Sequence, residues 1–328
     1  MDFDGDGKFD LISGSYDPGE LYLFRGLGGG KFAAREVIKD KGGKPVLRVP
    51  NQKDRVESFG SWVAMVDWDD DGKPDLLVGG FDGTMFVRRN EGSRERPAFA
   101  AENEWVTVGK KRLRVPGGAH ANPVIADWDG DGLWDIVTGS GDGGVYWYRN
   151  VGKRGAPAFA APVALVPKHE GIGYSELLDA GQEPKPGIRS QIAVTDYDGD
   201  GKLDVLLGDF CTYLKVKKDL TPAQRKEFDA VRDRQDKIGK KLRDAMDELQ
   251  ARWKKEMAGV PKADWNTPEN QEKWQKMYKG MRESAGYKRE YAEYQKSEKE
   301  LARFVMKPAK GRDSPDEPHG YVWLFRRR

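Results

Sequence analysis

Short apolar segments alternate along most of the chain with loops rich in Asp and Gly. One pattern occurs four times, as DFDGDGKFDLISG from Asp2, DWDDDGKPDLLVG from Asp67, DWDGDGLWDIVTG from Asp127 and DYDGDGKLDVLLG from Asp196. A second pattern follows each copy, as GELYLFRG from Gly19, GTMFVRRN from Gly83, GGVYWYRN from Gly143 and GYVWLFRR from Gly320. Each repeat therefore predicts a strand, an acidic loop, a second strand, a tight turn, a third strand and a link containing a further strand.

The spacing of these repeats predicts the fold class. Successive copies begin 60 to 69 residues apart, which is room for about four strands and matches one blade of a β-propeller. We expect an all-β propeller of at least four blades, formed by residues 1–210 and completed by 320–328. Aromatic residues at the second loop position and along the third strand are expected to fill the seams between blades. They are Phe3, Trp68, Trp128 and Tyr197, and Tyr22, Phe86, Tyr146, Trp147 and Trp323.

A helical pattern interrupts the fourth repeat between its second and third strands, over residues 211–319. Thr221-Pro222 and Thr267-Pro268 are typical helix starts, and apolar residues then recur at intervals of three and four. The pattern predicts two helices of about 35 residues in an antiparallel coiled-coil hairpin, with a turn near residues 259–266. We expect this insertion to replace a hairpin turn of the last blade.

The four acidic loops carry the strongest chemical pattern. Aspartates stand at positions 1, 3, 5 and 9, and Gly at position 6 permits a sharp bend that brings the carboxylates together. The position-7 residue offers its backbone carbonyl, and such hard oxygen ligands favour Ca²⁺. The predicted ligands, for up to four calcium ions, are Asp2, Asp4, Asp6, Lys8 and Asp10; Asp67, Asp69, Asp71, Lys73 and Asp75; Asp127, Asp129, Asp131, Leu133 and Asp135; and Asp196, Asp198, Asp200, Lys202 and Asp204.

Two other interpretations of these loops are weaker. An EF-hand requires Glu at position 12, where this chain has Ser13, Val78, Thr138 and Leu207, and it requires flanking helices rather than strands. Plain Asp/Gly hairpin turns do not need four carboxylates at one spacing four times. Asp70 replaces the Gly found at position 4 of the other loops, and we expect its side chain to point outward.

The four repeats together resemble the FG-GAP or VCBS repeat family, which forms the blades of integrin α-subunit propellers and occurs in many secreted bacterial proteins. The resemblance covers residues 1–210 and 320–328, and Phe59-Gly60 matches the family's FG pair. It implies a ligand-binding face opposite the calcium loops. Gly60, His120 and Arg189 occupy one equivalent position there, which makes His120 and Arg189 the candidate ligand-binding residues.

Composition limits the function classes further. The hydrophobic fraction is 38%, and no apolar run is long enough to span a membrane. One cysteine, Cys211, and three histidines give little material for disulfides, zinc sites or histidine metal chemistry.

The net charge of +2 conceals a basic segment, residues 219–307, with 22 Lys and Arg against 17 Asp and Glu. Its charges alternate in sign, so we expect no nucleic-acid contact. Four bound Ca²⁺ ions would raise the net charge to about +10 and favour anionic glycans.

No common catalytic motif is present, so the main hypothesis is a noncatalytic binding or adhesion module that binds a protein or glycan. A polysaccharide lyase built on a calcium propeller, using Arg189, His120 or a tyrosine, is one alternative. A scaffold that binds partners through the helical hairpin is another. The family implies an extracellular, periplasmic or cell-surface location. The first repeat begins inside its acidic loop at Asp2, which favours an N-terminally truncated chain.

Overall fold

The structure is a computed structural model that describes residues 2–48, 60–169, 175–178, 182–260, 265, 267–306 and 317–327. The chain divides into two compact units, which we call the repeat body and the helical body. The repeat body contains residues 1–176, 185–212 and 318–328, and the helical body contains residues 177–184 and 213–317. Phe59 of the predicted FG pair lies outside the described residues.

The first two repeats each form an antiparallel sheet in which strands follow one another in chain order. The strands of repeat 1 are β1 (Leu11–Ser13), β2 (Tyr22–Phe24), β3 (Gly26–Gly28), β4 (Lys31–Phe32) and β5 (Glu36–Val37). Those of repeat 2 are β6 (Ser61–Val66), β7 (Asp75–Gly80), β8 (Met85–Arg88), β9 (Glu104–Trp105), β10 (Thr107–Val108) and β11 (Lys111–Arg112). The main sheets have the orders β1-β2-β5 and β6-β7-β8-β9, and β3-β4 and β10-β11 are separate hairpins.

Repeat 3 continues the same arrangement, whereas in repeat 4 the other strands all pair with one strand. The strands of repeat 3 are β12 (Asn122–Ala126), β13 (Asp135–Gly139), β14 (Val145–Tyr148) and β15 (Val163–Val166), and they pair in that order. The later strands are β16 (Ser175–Leu178), β17 (Ile188–Thr195), β18 (Asp204–Lys215), β19 (Glu317–His319) and β20 (Val322–Phe325). Both β17 and β20 pair with β18 in antiparallel register. The predicted antiparallel sheets are therefore confirmed.

Strand β18 differs from its equivalents because it runs to Lys215, whereas β7 ends at Gly80 and β13 at Gly139. Residues 211–215, which the sequence pattern assigned to the helical insertion, are thus strand. The cause is a run that favours extended structure, in which Cys211 and Tyr213 are buried.

In repeats 2 to 4, the register of the first two strands closes the acidic loop as a hairpin. Val66 pairs with Asp75, Ala126 pairs with Asp135, and the same pairing joins Thr195 to Asp204. The loop residues between them are thus held at one end of each sheet, and the turns between the second and third strands lie at the other end.

The apolar core lies between consecutive repeats. Phe3 of repeat 1 is buried with Leu76 and Phe86 of repeat 2. Trp68 of repeat 2 packs against Phe159 of repeat 3, with ring centroids 5.8 Å apart. Trp128 lies in the cluster that contains Val205 and Leu207 of repeat 4. The loop aromatics of repeats 1 to 3 therefore fill seams between sheets, as the sequence indicated.

Tyr197, the loop aromatic of repeat 4, was expected to be buried in the same way but is 58% exposed. Each buried counterpart is covered by the sheet of the next repeat along the chain. Within the part of the chain that the structure describes, Tyr197 belongs to none of the buried clusters that join consecutive repeats.

The helical body contains α1 (Pro222–Glu256), α2 (Pro268–Glu283) and α3 (Ala285–Leu301). Helix α1 has the predicted length of 35 residues and begins with a capping box at Thr221 and Gln224. The predicted second helix is instead two helices. Among described residues, no helix combines the length and apolar character needed to cross a bilayer.

The break between α2 and α3 lies at Ser284, which has extended backbone angles. Its hydroxyl accepts a hydrogen bond from the backbone N–H of Tyr287 and donates one to the carbonyl of Met281. Serine thereby ends one helix and caps the next. Most of the predicted turn at residues 259–266 lies outside the described residues.

Candidate metal loops and the opposite face

Each acidic loop is closed by hydrogen bonds from its own backbone to its aspartates. The position-1 carboxylate accepts the N–H of the position-6 glycine at 2.9–3.1 Å in all four loops. That glycine has a φ of 83–85° in each loop, which only glycine adopts without strain. The position-5 carboxylate accepts the N–H of position 7 at 2.8–3.0 Å. The sequence thus folds locally into a turn that gathers its carboxylates.

These turns bring three carboxylates together in every repeat. The clusters, whose ligand atoms lie within 4.8 Å of one another, are Asp2, Asp4 and Asp6; Asp67, Asp69 and Asp71; Asp127, Asp129 and Asp131; and Asp196, Asp198 and Asp204. Asp70 is outside its cluster and forms an ion pair with Arg154 at 3.6 Å.

The position-9 aspartate is buried and ties the loop to the rest of its sheet. Asp75 accepts the N–H of Trp68 at 3.1 Å and that of Asn90, just after β8, at 2.6 Å. Burial raises the pKa of Asp75 to about 6 and raises that of Asp135 as well. Asp10, Asp135 and Asp204 form the equivalent pairs of bonds. In repeats 1 to 3 this residue lies outside the clustered triad, whereas Asp204 belongs to its triad.

Three loop carboxylate oxygens are buried without a hydrogen-bond partner. They are Oδ1 of Asp2, Asp69 and Asp129. A buried anionic oxygen without a donor is costly, and each of these belongs to a cluster that offers two further carboxylates. The residues present therefore fit a hard divalent cation held by oxygen ligands. The position-7 residues Lys8, Lys73, Leu133 and Lys202 would contribute backbone oxygen only.

One set of loop contacts was missed by the sequence analysis. An arginine at the end of the third-strand pattern forms an ion pair with Oδ2 of the position-3 aspartate in every repeat. The pairs are Arg25–Asp4, Arg89–Asp69 at 3.2 Å, Arg149–Asp129 at 2.6 Å and Arg326–Asp198 at 3.6 Å. The sequence pattern that could have indicated these ion pairs is the Arg that recurs in LFRG, VRRN, WYRN and LFRR.

At the other end of the sheets, the three predicted equivalent positions share one backbone conformation. Gly60, His120 and Arg189 have φ values of 66°, 56° and 58°. Their N–H groups donate to the carbonyls of Tyr16, Phe81 and Gly141, each in the preceding repeat, at 2.7–3.2 Å. Positive φ is uncommon for His and Arg, so the fold holds these two residues in a conformation that glycine adopts more easily.

The two candidate ligand residues differ in exposure. His120 is 7% exposed, and its ring packs 4.3 Å from the Phe81 ring and 5.4 Å from that of Trp62. Burial and the nearby Arg189 charge lower the pKa of His120. Arg189 is partly exposed, and its guanidinium lies 5.6 Å from the Phe210 ring. Arg189 is therefore the more accessible of the two.

Comparison with known proteins agrees with these repeats. Residues 67–138 and 127–207 match the family model described as FG-GAP-like repeat. Cartilage acidic protein 1 of Xenopus tropicalis is 24% identical over 192 residues, which are 58% of this chain and 25% of that protein. The chain thus spans about a quarter of the length of this relative. Residues 67–207 are therefore similar to the FG-GAP-like repeat, and this likeness covers somewhat less than half of the chain.

Proposed function

We propose that this protein is a calcium-binding β-propeller module that binds its ligand without catalysis, in an extracellular, periplasmic or cell-surface setting. The observation that carries the calcium assignment is the set of clustered aspartates with buried, unpartnered oxygens at Asp2, Asp69 and Asp129. Calcium supplies positive charge that offsets repulsion among the loop carboxylates. Loops of this type commonly bind calcium in the millimolar range found outside cells.

The proposed ligand face lies at the end of the sheets opposite the acidic loops. Arg189 offers a partly exposed cation there, and Tyr16 is 54% exposed beside Phe81, with ring centroids 6.0 Å apart. A cation near aromatic rings suits an anionic polymer that also has apolar ring faces. We therefore favour an acidic glycan as the ligand, with a protein surface as the second class.

Calcium binding is tested by isothermal titration of the chelator-treated full chain. The position-1 variant Asp67→Asn should lose about one of four binding events, because the carboxylate that organises the loop is neutralised. The variant Asp70→Asn removes a carboxylate from the same loop but outside the cluster, and it should leave the stoichiometry unchanged. Equal losses in both variants would contradict the assignment.

Ligand binding is tested on an array of acidic and neutral glycans with calcium present. Binding to acidic glycans should weaken in Arg189→Ala and remain in Lys153→Ala, an exposed lysine remote from this face. The glycans are then recovered and examined for new double bonds. Turnover that is lost in Arg189→Ala would favour a lyase over the noncatalytic module proposed here.

A further inference from the structure

Arg89, which ends the third strand of repeat 2, differs from an ordinary surface ion-pair partner. In repeat 2, Nη1 of Arg89 lies 3.2 Å from Oδ2 of Asp69 and 3.5 Å from Oδ2 of Asp75. The opposite side of the guanidinium donates to both oxygens of Glu104 on β9, at 2.8 Å and 3.1 Å. The bidentate contact with Glu104 fixes the plane of the guanidinium. The orientation of Arg89 therefore does not depend on its contacts with the acidic loop alone.

The two oxygens of the position-3 carboxylate have different surroundings. Oδ2 of Asp69 forms an ion pair with Nη1 of Arg89 without a hydrogen bond, whereas Oδ1 is buried and accepts no hydrogen bond. Repeat 3 repeats this division, because Oδ2 of Asp129 lies 2.6 Å from Arg149 and Oδ1 of Asp129 is buried without a partner. A carboxylate held through one oxygen has its other oxygen fixed in direction, which suits it to bind a cation.

We propose that Arg89 and Arg149 are positioning residues for the metal sites of repeats 2 and 3. Each holds Oδ2 of the position-3 aspartate and keeps Oδ1 available to the cation. The inference rests on the proposed calcium function. Outer partners of this kind typically change metal affinity by about 10- to 100-fold when they are removed.

A positive side chain beside a cation site also repels the cation, so the two effects oppose each other. In repeat 2 the charge of Arg89 is offset by Glu104, whose side chain is more than half exposed, so solvent weakens the long-range repulsion. Orientation should therefore outweigh repulsion. Lys73 differs from Arg89 in this respect. Its ammonium lies 2.8 Å from Oδ2 of Asp71 in the same loop, but neither oxygen of Asp71 is among the buried oxygens that accept no hydrogen bond.

Terbium luminescence with calcium competition tests the proposal on the full chain. Trp68 and Trp128 occupy position 2 of loops 2 and 3, where loops 1 and 4 have Phe3 and Tyr197. Excitation of tryptophan should therefore favour terbium bound in these two loops over terbium bound in loops 1 and 4. The variant Arg89→Gln/Arg149→Gln should weaken calcium affinity about tenfold or more. Arg154→Gln, which removes a positive charge paired with Asp70 outside the cluster, should leave the affinity equal or slightly higher.

Two further measurements separate positioning from folding. Arg89→Lys/Arg149→Lys should recover part of the lost affinity, since lysine reaches the carboxylate through one donor only. Melting of each variant in chelator reports whether the metal-free fold is intact. Unchanged or tighter calcium binding in Arg89→Gln/Arg149→Gln would overturn the inference alone. No calcium competition in the unaltered chain would overturn the proposed calcium function and this inference together.

Discussion

At the scale of single residues, the position-9 aspartates join the acidic loops to the sheets. Asp75 is 1% exposed and accepts two backbone N–H groups that are 22 residues apart in sequence, Trp68 and Asn90. The same carboxylate lies beside the Asp67, Asp69 and Asp71 cluster. One residue thus couples the loop that gathers the carboxylates to the end of the third strand.

This coupling predicts an unusual pH dependence in the metal-free protein. Because burial raises the pKa of Asp75 from 3.8 to about 6, the folded state binds more protons than the unfolded state between those values. The contribution of Asp75 to the free energy of unfolding should therefore grow as pH falls through about 6 and level off near 4. Urea unfolding of the unaltered chain and of Asp75→Asn, in chelator at several pH values, measures it.

The free energy of unfolding of the unaltered chain minus that of Asp75→Asn should increase toward low pH. A bound cation favours the ionised carboxylate, so this increase should disappear when calcium is present. A decrease of this difference as pH falls in chelator would contradict the expected direction.

The clustering of the loop carboxylates could be predicted from the sequence. The different role of the position-9 aspartate, which accepts backbone N–H groups, could not. Four copies of one spacing indicated carboxylates converging in a turn at Asp67 and its equivalents. The second hydrogen bond that Asp75 accepts comes from the N–H of Asn90, after another strand, and Arg89 reaches Asp69 from the end of that strand. Such contacts depend on strand register, which a motif read along the chain does not contain.

At the scale of elements, the break between α2 and α3 is the main departure from the sequence prediction. The intervals of three and four continue through residue 284, so apolar spacing alone predicts one helix. Ser284 nevertheless competes for backbone hydrogen bonds and caps α3. Gly280 and Gly286 flank the break and lower the helical preference of the segment.

The cap at Ser284 predicts the effect of changing that residue. Ser284→Ala removes the acceptor for the Tyr287 N–H and should reduce the free energy of unfolding of the helical body by about 1 kcal/mol. Ser284→Asp keeps an N-cap acceptor and should retain most of the stability. Urea unfolding followed by circular dichroism at 222 nm compares them. An Ala variant that gains helicity without losing stability would show that the break is not needed.

At the scale of the whole molecule, cation binding and packing are linked within the repeat body. Phe3, Trp68 and Trp128 follow the position-1 aspartates directly, and each is buried in a cluster shared with the next repeat. A cation that orders these loops should therefore stabilise the contacts between consecutive sheets as well. The described acidic clusters all belong to the repeat body.

This distribution predicts that calcium changes the thermal stability of one body. Each site filled to 100 times its dissociation constant adds about 2.7 kcal/mol to the free energy of unfolding of the state that binds. Calcium should therefore raise the midpoint temperature of unfolding of the repeat body by many degrees and leave that of the helical body nearly unchanged. Near-ultraviolet circular dichroism and the helix band at 222 nm follow the two bodies during heating. Magnesium at equal ionic strength is the control, because its strict octahedral preference suits these flexible loops poorly. Equal shifts with magnesium, or equal shifts in both bodies, would contradict specific stabilisation through the acidic loops.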